Sequence, residues 1–198
     1  VVRVIDRDGR AVPESAHTLS DKIFGTYGDS VNTASGFRHC SMGKMEMTYD
    51  YEGKVDTSVM SAPGVLEVRL NKALPDMTQP QLVQVMVAAA QVKLGMRLKG
   101  PFHHVMFVNE KCYGMCGWAA YAYVGHWLSN YVGPNANYPA VVMHEVGHNL
   151  NFAHSGGMDG QTYTDHTCLM GNPLFEDNMV SMCFNPVKNF QLSMGENA

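Results

Sequence analysis

Long apolar runs and an excess of positive charge are both missing from this chain of 198 residues. Its most apolar windows, residues 82–94 and 117–132, are short or interrupted by polar residues, which argues against a membrane-spanning helix. Lys and Arg number 14 against 18 Asp and Glu, a difference of −4, and no basic run stands out. Nucleic acid and membrane surfaces are therefore poor candidates for partners.

The N-terminus also lacks a leader, meaning a basic stretch followed by an apolar one. The chain starts at Val1 without an initiator Met. We therefore expect a processed or trimmed form from which any targeting segment has been removed.

Cysteine is sparse, and its spacing argues against a zinc ribbon. The chain has five cysteines, with no two Cys-x-x-Cys units among them: Cys40, Cys112, Cys116, Cys168 and Cys183. Disulfides are the favoured interpretation. Proximity along the chain favours the pairs Cys112–Cys116 and Cys168–Cys183 and leaves Cys40 free, or bonded to a segment that is now missing. The alternative is a reduced protein with five small apolar cysteines.

The remaining composition, 45% apolar and 16% charged, is that of a globular domain. A long helix is predicted to begin at Thr78 and to stop at Gly95, and a second spans 138–150 with Asn135 or Asn137 as its cap. Further predictions are a hairpin from 2–5 and 11–12, a helical turn capped by Ser20, strands at 45–49, 64–70, 102–108, 118–124 and 127–132, and a last short helix after Asn185. This order indicates an α+β domain with a mixed twisted sheet against two long helices.

The pentad His144-Glu145-Val146-Gly147-His148 lies inside the second long helix. Residues at i and i+4 share a helix face, so both imidazoles can reach one metal ion. Glu145 is rotated about 100° around the axis and flanks that ion without capping it. Zinc lowers the pKa of a bound water towards ~7, and a glutamate in this position can take its proton. The pattern therefore predicts hydrolysis by a Glu-assisted, zinc-bound water, with Glu145 as general base and later proton donor.

A catalytic zinc needs a third protein ligand and an open position. His154 is the candidate, provided that the helix ends near residues 150–151 and the chain folds back. Asn151 stands where such a reversal needs a left-handed residue, for which Asn is second only to Gly. A downstream carboxylate such as Glu176 is the alternative third ligand. A zinc-stabilised binding module is the alternative function, although a purely structural site has no use for Glu145.

The run from His144 to His154 resembles the long zinc signature of the metzincins, His-Glu-x-x-His-x-x-Gly-x-x-His, with Asn151 in place of the Gly. Met170, in Cys-Leu-Met-Gly, resembles the Met-turn residue that lies beneath the zinc in that group. The segments 23–29, 40–44, 163–165 and 183–186 extend the resemblance, within the metzincins, to the gametolysin (autolysin) family.

The resemblance implies a single metallopeptidase catalytic domain over 1–198, with an N-terminal subdomain of about 1–154 and a C-terminal one of about 155–198. Zinc would lie in a cleft above the Met-turn, and a short C-terminal helix would follow. The implied protein is a secreted endopeptidase made with an inhibitory pro-segment and acting on extracellular-matrix or cell-wall proteins. Substrate would pair along an edge strand, for which 118–124 is our candidate.

One position departs from the pattern of some metzincins, and one loop is a candidate second metal site. Asn172 stands where those metzincins have a tyrosine as a fifth zinc ligand. Asp165 and His166, and likewise Asp159, are candidates to border the site or to bind Ca²⁺. Solvated loop positions are the alternative for all of them.

Overall fold

A five-stranded sheet organises the part of the chain that the computed structural model describes, residues 1–110, 117–173 and 182–195. Its strands are β1 (Val2–Ile5), β2 (Leu66–Arg69), β3 (Val105–Asn109), β4 (Ala120–Ala122) and β5 (Leu128–Val132). The helices are α1 (Ala16–Phe24), α2 (Thr33–Cys40), α3 (Gln79–Leu94), α4 (Pro139–Asn149) and α5 (Pro186–Gly195). The strand order is β2-β1-β3-β5-β4. β4 pairs antiparallel to β5 and the other pairs are parallel, which makes the expected mixed sheet of an α+β fold.

Helices cover both faces of this sheet, and β3 shows it most clearly because all its residues are buried. Successive strand residues point to opposite faces. Phe107 accordingly belongs to the apolar cluster that includes Leu82 and Met86 of α3, whereas Met106 belongs to the cluster that includes Val142 of α4. The sheet therefore separates two cores, one beneath α3 and one beneath α4.

The two long helices confirm the sequence-based prediction, but they begin in different ways. α3 starts after Thr78, whose backbone N–H and hydroxyl both donate to Gln81 Oε1 (2.9 and 3.0 Å). It ends at Gly95, whose φ of 65° is left-handed. α4 has no side-chain cap, and the predicted caps Asn135 and Asn137 are wrong. The Asn137 amide donates instead to Glu14 Oε1 at 2.7 Å.

The N-terminal hairpin prediction is also wrong. β1 pairs in parallel with β2 and β3, and residues 11–12 form no strand. The buried carboxylate of Asp6 accepts hydrogen bonds from the backbone N–H groups of Asp8 and Arg10 (2.9 and 2.8 Å), and also of Leu74. These bonds hold the turn and direct the chain away from β1.

The first helix is longer than predicted, the next was not predicted, and one predicted strand is absent. α1 is capped by the Ser15 hydroxyl, which accepts from the Thr18 N–H at 3.1 Å. The predicted cap, Ser20, is buried inside the helix and donates to the Pro63 carbonyl. Residues 45–49 form no strand.

The last helix confirms its predicted start, because the Asn185 side chain accepts the Lys188 N–H at 3.0 Å. Among the helices of the described residues, none has the length and apolar character needed to cross a bilayer.

Candidate metal centre

Three histidine side chains converge from two segments of the chain. His144 and His148 lie on α4, and His154 follows the helix after a reversal. One ring nitrogen of each lies within 4.8 Å of the others, and the Nε2 atoms of His148 and His154 are 3.0 Å apart. Over the ranges 1–110, 117–173 and 182–195, no other cluster of three metal-binding side chains comes together.

The reversal that delivers His154 is the one predicted from the sequence. α4 ends at Asn149, and Asn151 adopts a left-handed φ of 71°. The Phe152 N–H then donates to the Gly147 carbonyl (3.0 Å) and the Asn151 N–H to the His148 carbonyl (2.9 Å). This pair of bonds is a Schellman motif, which satisfies the last carbonyls of the helix while turning the chain back.

Hydrogen bonds to backbone carbonyls orient the two helical histidines. His144 Nδ1 donates to the Leu169 carbonyl, and His148 Nδ1 donates to the Phe152 carbonyl at 2.8 Å. A histidine whose Nδ1–H is bonded in this way presents an unprotonated Nε2, which is the form that binds metal. The backbone around the site therefore selects the tautomer that a metal requires.

Burial keeps these imidazoles uncharged. It lowers the pKa of His144 and of His154 to about 4, and it also lowers the pKa of His148. The neighbouring Lys188 ammonium adds to this effect at His148 and His154. Neutral histidines are ready to bind a metal without first releasing protons at neutral pH.

Glu145 completes the arrangement as a buried carboxyl. Its side chain is on α4 beside His144, and the residue is 7% exposed. Burial raises the pKa of Glu145 to about 8, and Oε2 has no hydrogen-bond partner among the described residues. A buried acid without a partner is costly, and a divalent cation at three neighbouring imidazoles would offset that cost. The donor set, three neutral histidines beside a carboxyl, fits zinc.

Comparison with known proteins establishes the family. The model of the gametolysin peptidase M11 family matches residues 11–193, which is nearly the whole chain. The chain belongs to this family. Among solved structures, it is similar to archaemetzincin from Methanopyrus kandleri, with 11% sequence identity and a TM-score of 0.48 over 100% of this chain and 95% of that one. No curated protein matches the chain in sequence.

Membership of the gametolysin family confirms the expectation of a zinc metallopeptidase, which is a hydrolase. Since the family is one of zinc peptidases and the three histidines can hold a metal, zinc is the supported cofactor.

Met170 packs directly against the backbone of α4. It is fully buried, and its sulfur would lie 2.4 Å from a Cβ added at Gly147. Its neighbour Leu169 supplies the carbonyl that orients His144. A glycine at 147 therefore lets the methionine approach the helix between the two histidines, and the assignment of Met170 as a Met-turn residue stays a prediction.

The disulfide prediction is wrong for Cys183, which bonds to Cys40 across a sequence separation of 143 residues. Cys168 is free and buried, and its sulfur accepts the N–H groups of Met170 and Asn185, both at 3.4 Å. Proximity in sequence failed because Cys168 lies inside the core beside the site. The predicted pair Cys112–Cys116 falls outside the described residues, as does Glu176, the alternative third ligand.

The acidic side chains proposed for calcium already have partners within their own loop. Asp159 Oδ1 accepts from the Thr164 hydroxyl (2.6 Å), and Asp165 accepts from Thr167 and from the Asn185 amide. His166 is exposed. No cluster of calcium-type ligands forms in the ranges that the structure covers, so calcium gains no support.

One residue at the site carries no sequence-based role. The ring of Tyr163 lies 4.0 Å from that of His154 and 6.3 Å from that of His144, measured between centroids. Burial, and next the charge of Glu145, raise the pKa of its phenol. Its segment, 163–165, is part of the family resemblance, but the sequence gives Tyr163 no role of its own, since a contact between separate loops leaves no periodic signal.

Proposed function

We propose that this gametolysin-family chain is an endopeptidase in which His144, His148 and His154 hold the zinc and Glu145 is the general base. The observation that carries the proposal is the convergence of three neutral imidazoles beside a buried carboxyl that lacks a partner. The rival third ligand, Glu176, is not needed for this set. His154→Ala separates the two assignments, because only ours predicts a large loss of zinc affinity.

When bound, zinc supplies a Lewis acid that polarises the scissile carbonyl and makes water a stronger acid. The protein supplies the proton transfers. Glu145 removes a proton from the attacking water as the new carbon–oxygen bond forms. It then delivers that proton to the departing amine as the carbon–nitrogen bond breaks. Burial raises the pKa of Glu145 in the metal-free protein, and the positive charge of a bound zinc would favour the carboxylate again, so that the side chain can accept the proton of the water.

Substrate is proposed to bind along β4. This strand lies at the edge of the sheet, paired only with β5 among the described strands, and the helix α4 lies beside it. Its outer edge can add an extended peptide by backbone hydrogen bonds. Backbone hydrogen bonds of this kind form with an extended peptide of any sequence, which suits an endopeptidase that cleaves within a protein chain.

The proposed setting is extracellular. The Cys40–Cys183 disulfide favours an oxidising compartment, and extracellular-matrix or cell-wall proteins are the substrates that this setting makes available. We further propose that residues 1–198 form one catalytic domain, with subdomains of about 1–154 and 155–198 on either side of the cleft. An inhibitory pro-segment is proposed to be removed when the enzyme is activated.

Hydrolysis of casein by the wild-type chain, with and without a zinc chelator, tests the proposal when Glu145→Gln is measured in parallel. Glutamine keeps the size of the side chain and removes the base, so we expect cleavage to fall by at least about 10³-fold while zinc content is unchanged. Glu46→Gln, at an exposed carboxylate paired with Arg38, is the matched control and should behave as wild type.

Cleavage that survives in Glu145→Gln would remove the role assigned to that residue. A zinc-loaded wild type that cleaves no protein substrate, yet folds and binds proteins, would favour the binding module.

A further inference from the structure

Tyr163 covers the histidine cluster from a separate loop. Its ring makes a tilted contact with His154, with centroids 4.0 Å apart, and lies nearly parallel to the ring of His144, with an interplanar angle of 22°. The residue is nevertheless 44% exposed. One side of the phenol therefore faces two proposed zinc ligands, and the other faces solvent, where substrate would enter.

The backbone holds Tyr163 in a conformation that tyrosine disfavours. Its φ is 70°, in the left-handed region, at a cost of roughly 1–2 kcal/mol for a residue with a Cβ. Flanking bonds impose this conformation: the Thr164 hydroxyl accepts the Gly157 N–H (2.8 Å), and the Asp165 N–H donates to the Ser155 carbonyl (3.3 Å). Strain that is fixed in this way beside a reactive centre points to a functional position.

The hydroxyl of Tyr163 makes no hydrogen bond to another described residue. A buried tyrosine elsewhere in the chain does find a partner, since the Tyr131 hydroxyl donates to the Val142 carbonyl at 3.4 Å. A phenol keeps its proton at neutral pH and is a hydrogen-bond donor. Tyr163 thus carries an available donor at the exposed rim of the histidine cluster, with its ring against that of His154.

We propose that the Tyr163 hydroxyl donates a hydrogen bond to the oxyanion that forms on the scissile carbonyl during peptide hydrolysis. The inference rests on the proposed function of the same site. When the attacking water oxygen bonds to the carbonyl carbon, the electron pair of the C=O bond moves to oxygen, and the hydroxyl stabilises that charge while keeping its own proton. The charge is lost again when the carbonyl re-forms and the bond to the amine breaks.

This role predicts an interaction that is strongest in the transition state, so it affects kcat and not KM. Tyr163→Phe keeps the ring against His154 and removes only the donor. We expect kcat for a peptide substrate to fall about 10²-fold, the usual effect of removing one oxyanion donor, with KM and zinc content unchanged.

A second readout does not depend on turnover. Affinity for a phosphinic peptide, whose tetrahedral phosphorus mimics the intermediate, should fall by a similar factor in Tyr163→Phe, while affinity for a reduced-amide peptide of the same sequence stays constant. The matched control is Tyr27→Phe, because Tyr27 is also exposed (53%) and also contacts a histidine ring, His17, at 5.2 Å. It should leave all these quantities unchanged.

Three outcomes would overturn the proposal. The first is a Tyr163→Phe variant with wild-type kcat. The second is a loss expressed in KM, which would make Tyr163 a substrate-binding residue. The third is a loss of zinc from the variant, which would make it a ligand or a support of the ligands. Failure of the proposed function is distinct, because the wild-type chain itself would then show no hydrolysis that depends on Glu145.

Discussion

The two faces of the sheet are covered by helices of opposite character. On one face, α3 has sixteen residues, a defined start at Thr78 and a defined stop at Gly95, and only Leu82, Met86 and Ala90 are buried. On the other face, α4 has eleven residues, no side-chain cap, and every residue buried, two histidines and a glutamate included. α3 is specified mainly by its own sequence, whereas α4 depends on what packs around it.

The difference shows which side of the sheet is destabilised by the residues of the candidate site. The buried side chains of α3 itself are the apolar Leu82, Met86 and Ala90, whereas α4 holds the neutral His144 and His148 beside an unpartnered Glu145. The α4 face also carries the Cys40–Cys183 disulfide, which joins α2 to the segment before α5. We infer that this face is the less stable one without metal and that covalent and metal bonds compensate for it.

The largest expected effect is removal of the disulfide. Replacing both Cys40 and Cys183 by Ala should lower the free energy of unfolding by about 2–5 kcal/mol, because the bond closes a very long loop of the unfolded chain. Urea denaturation measures this. Cys168→Ala is the control and should cost only about 1 kcal/mol, the loss of one small buried group. If Cys168→Ala lowered the free energy of unfolding strongly while the double variant left it unchanged, the result would favour the Cys168–Cys183 pair that sequence proximity suggested.

Next in size is the pH dependence of the metal-free protein. The folded pKa of Glu145, about 8, lies above its ordinary value of 4.5, so its contribution to stability is complete below pH 4.5 and is lost as pH rises towards 8. Glu145→Gln removes this loss and should stabilise the metal-free chain by on the order of 3 kcal/mol at pH 7, with little effect at pH 4.

The histidines act in the opposite sense, because their lowered pKa values cost stability as pH falls below 6.5. They are present in both proteins, so the difference between the two unfolding curves isolates Glu145. A difference that does not change with pH would contradict the burial assigned to that carboxyl.

A smaller effect is expected from a methyl group at the centre of α4. Alanine normally favours a helix over glycine by about 1 kcal/mol. In Gly147→Ala, however, the new Cβ would lie 2.4 Å from Met170 Sδ and 3.0 Å from Phe184 Cε1. We therefore expect a net loss of about 1–3 kcal/mol from overpacking, together with weaker zinc binding.

Ala88→Gly at an exposed position of α3 is the matching experiment, and it should cost about 1 kcal/mol by helix propensity alone, with zinc binding unchanged. If helix propensity alone explained the change in unfolding free energy of both variants, then α4 would not depend on its packing more than α3 does, and the contrast between the two helices would be lost.

The features that could be predicted from the sequence are those whose signals are local. Thr78 and Gly95 mark the two ends of α3 within one segment. The spacing of His144, His148 and His154 likewise suffices to predict that the three imidazoles meet, once the chain reverses between the second and the third. Strand positions after residue 100 followed from apolar runs of the right length. These patterns depend on residues close in sequence, where backbone geometry alone relates them.

The features that could not be predicted depend on partners distant in sequence. Cys40 meets Cys183 only after the chain has folded, and Asp6 reaches the Leu74 N–H across the start of the sheet. Parallel pairing of β1 likewise depends on β2 and β3, whose positions no turn next to β1 reveals. Tyr163 reaches His154 through a loop whose shape is set by hydrogen bonds of Thr164 and Asp165.

X-ray absorption at the zinc edge of the zinc-loaded protein tests the central claim most directly. We predict three imidazole nitrogens at ~2.0–2.1 Å and an oxygen in the open position, with two imidazoles remaining in His154→Ala. A sulfur at ~2.3 Å, or an imidazole count that His154→Ala does not change, would contradict the three-histidine site.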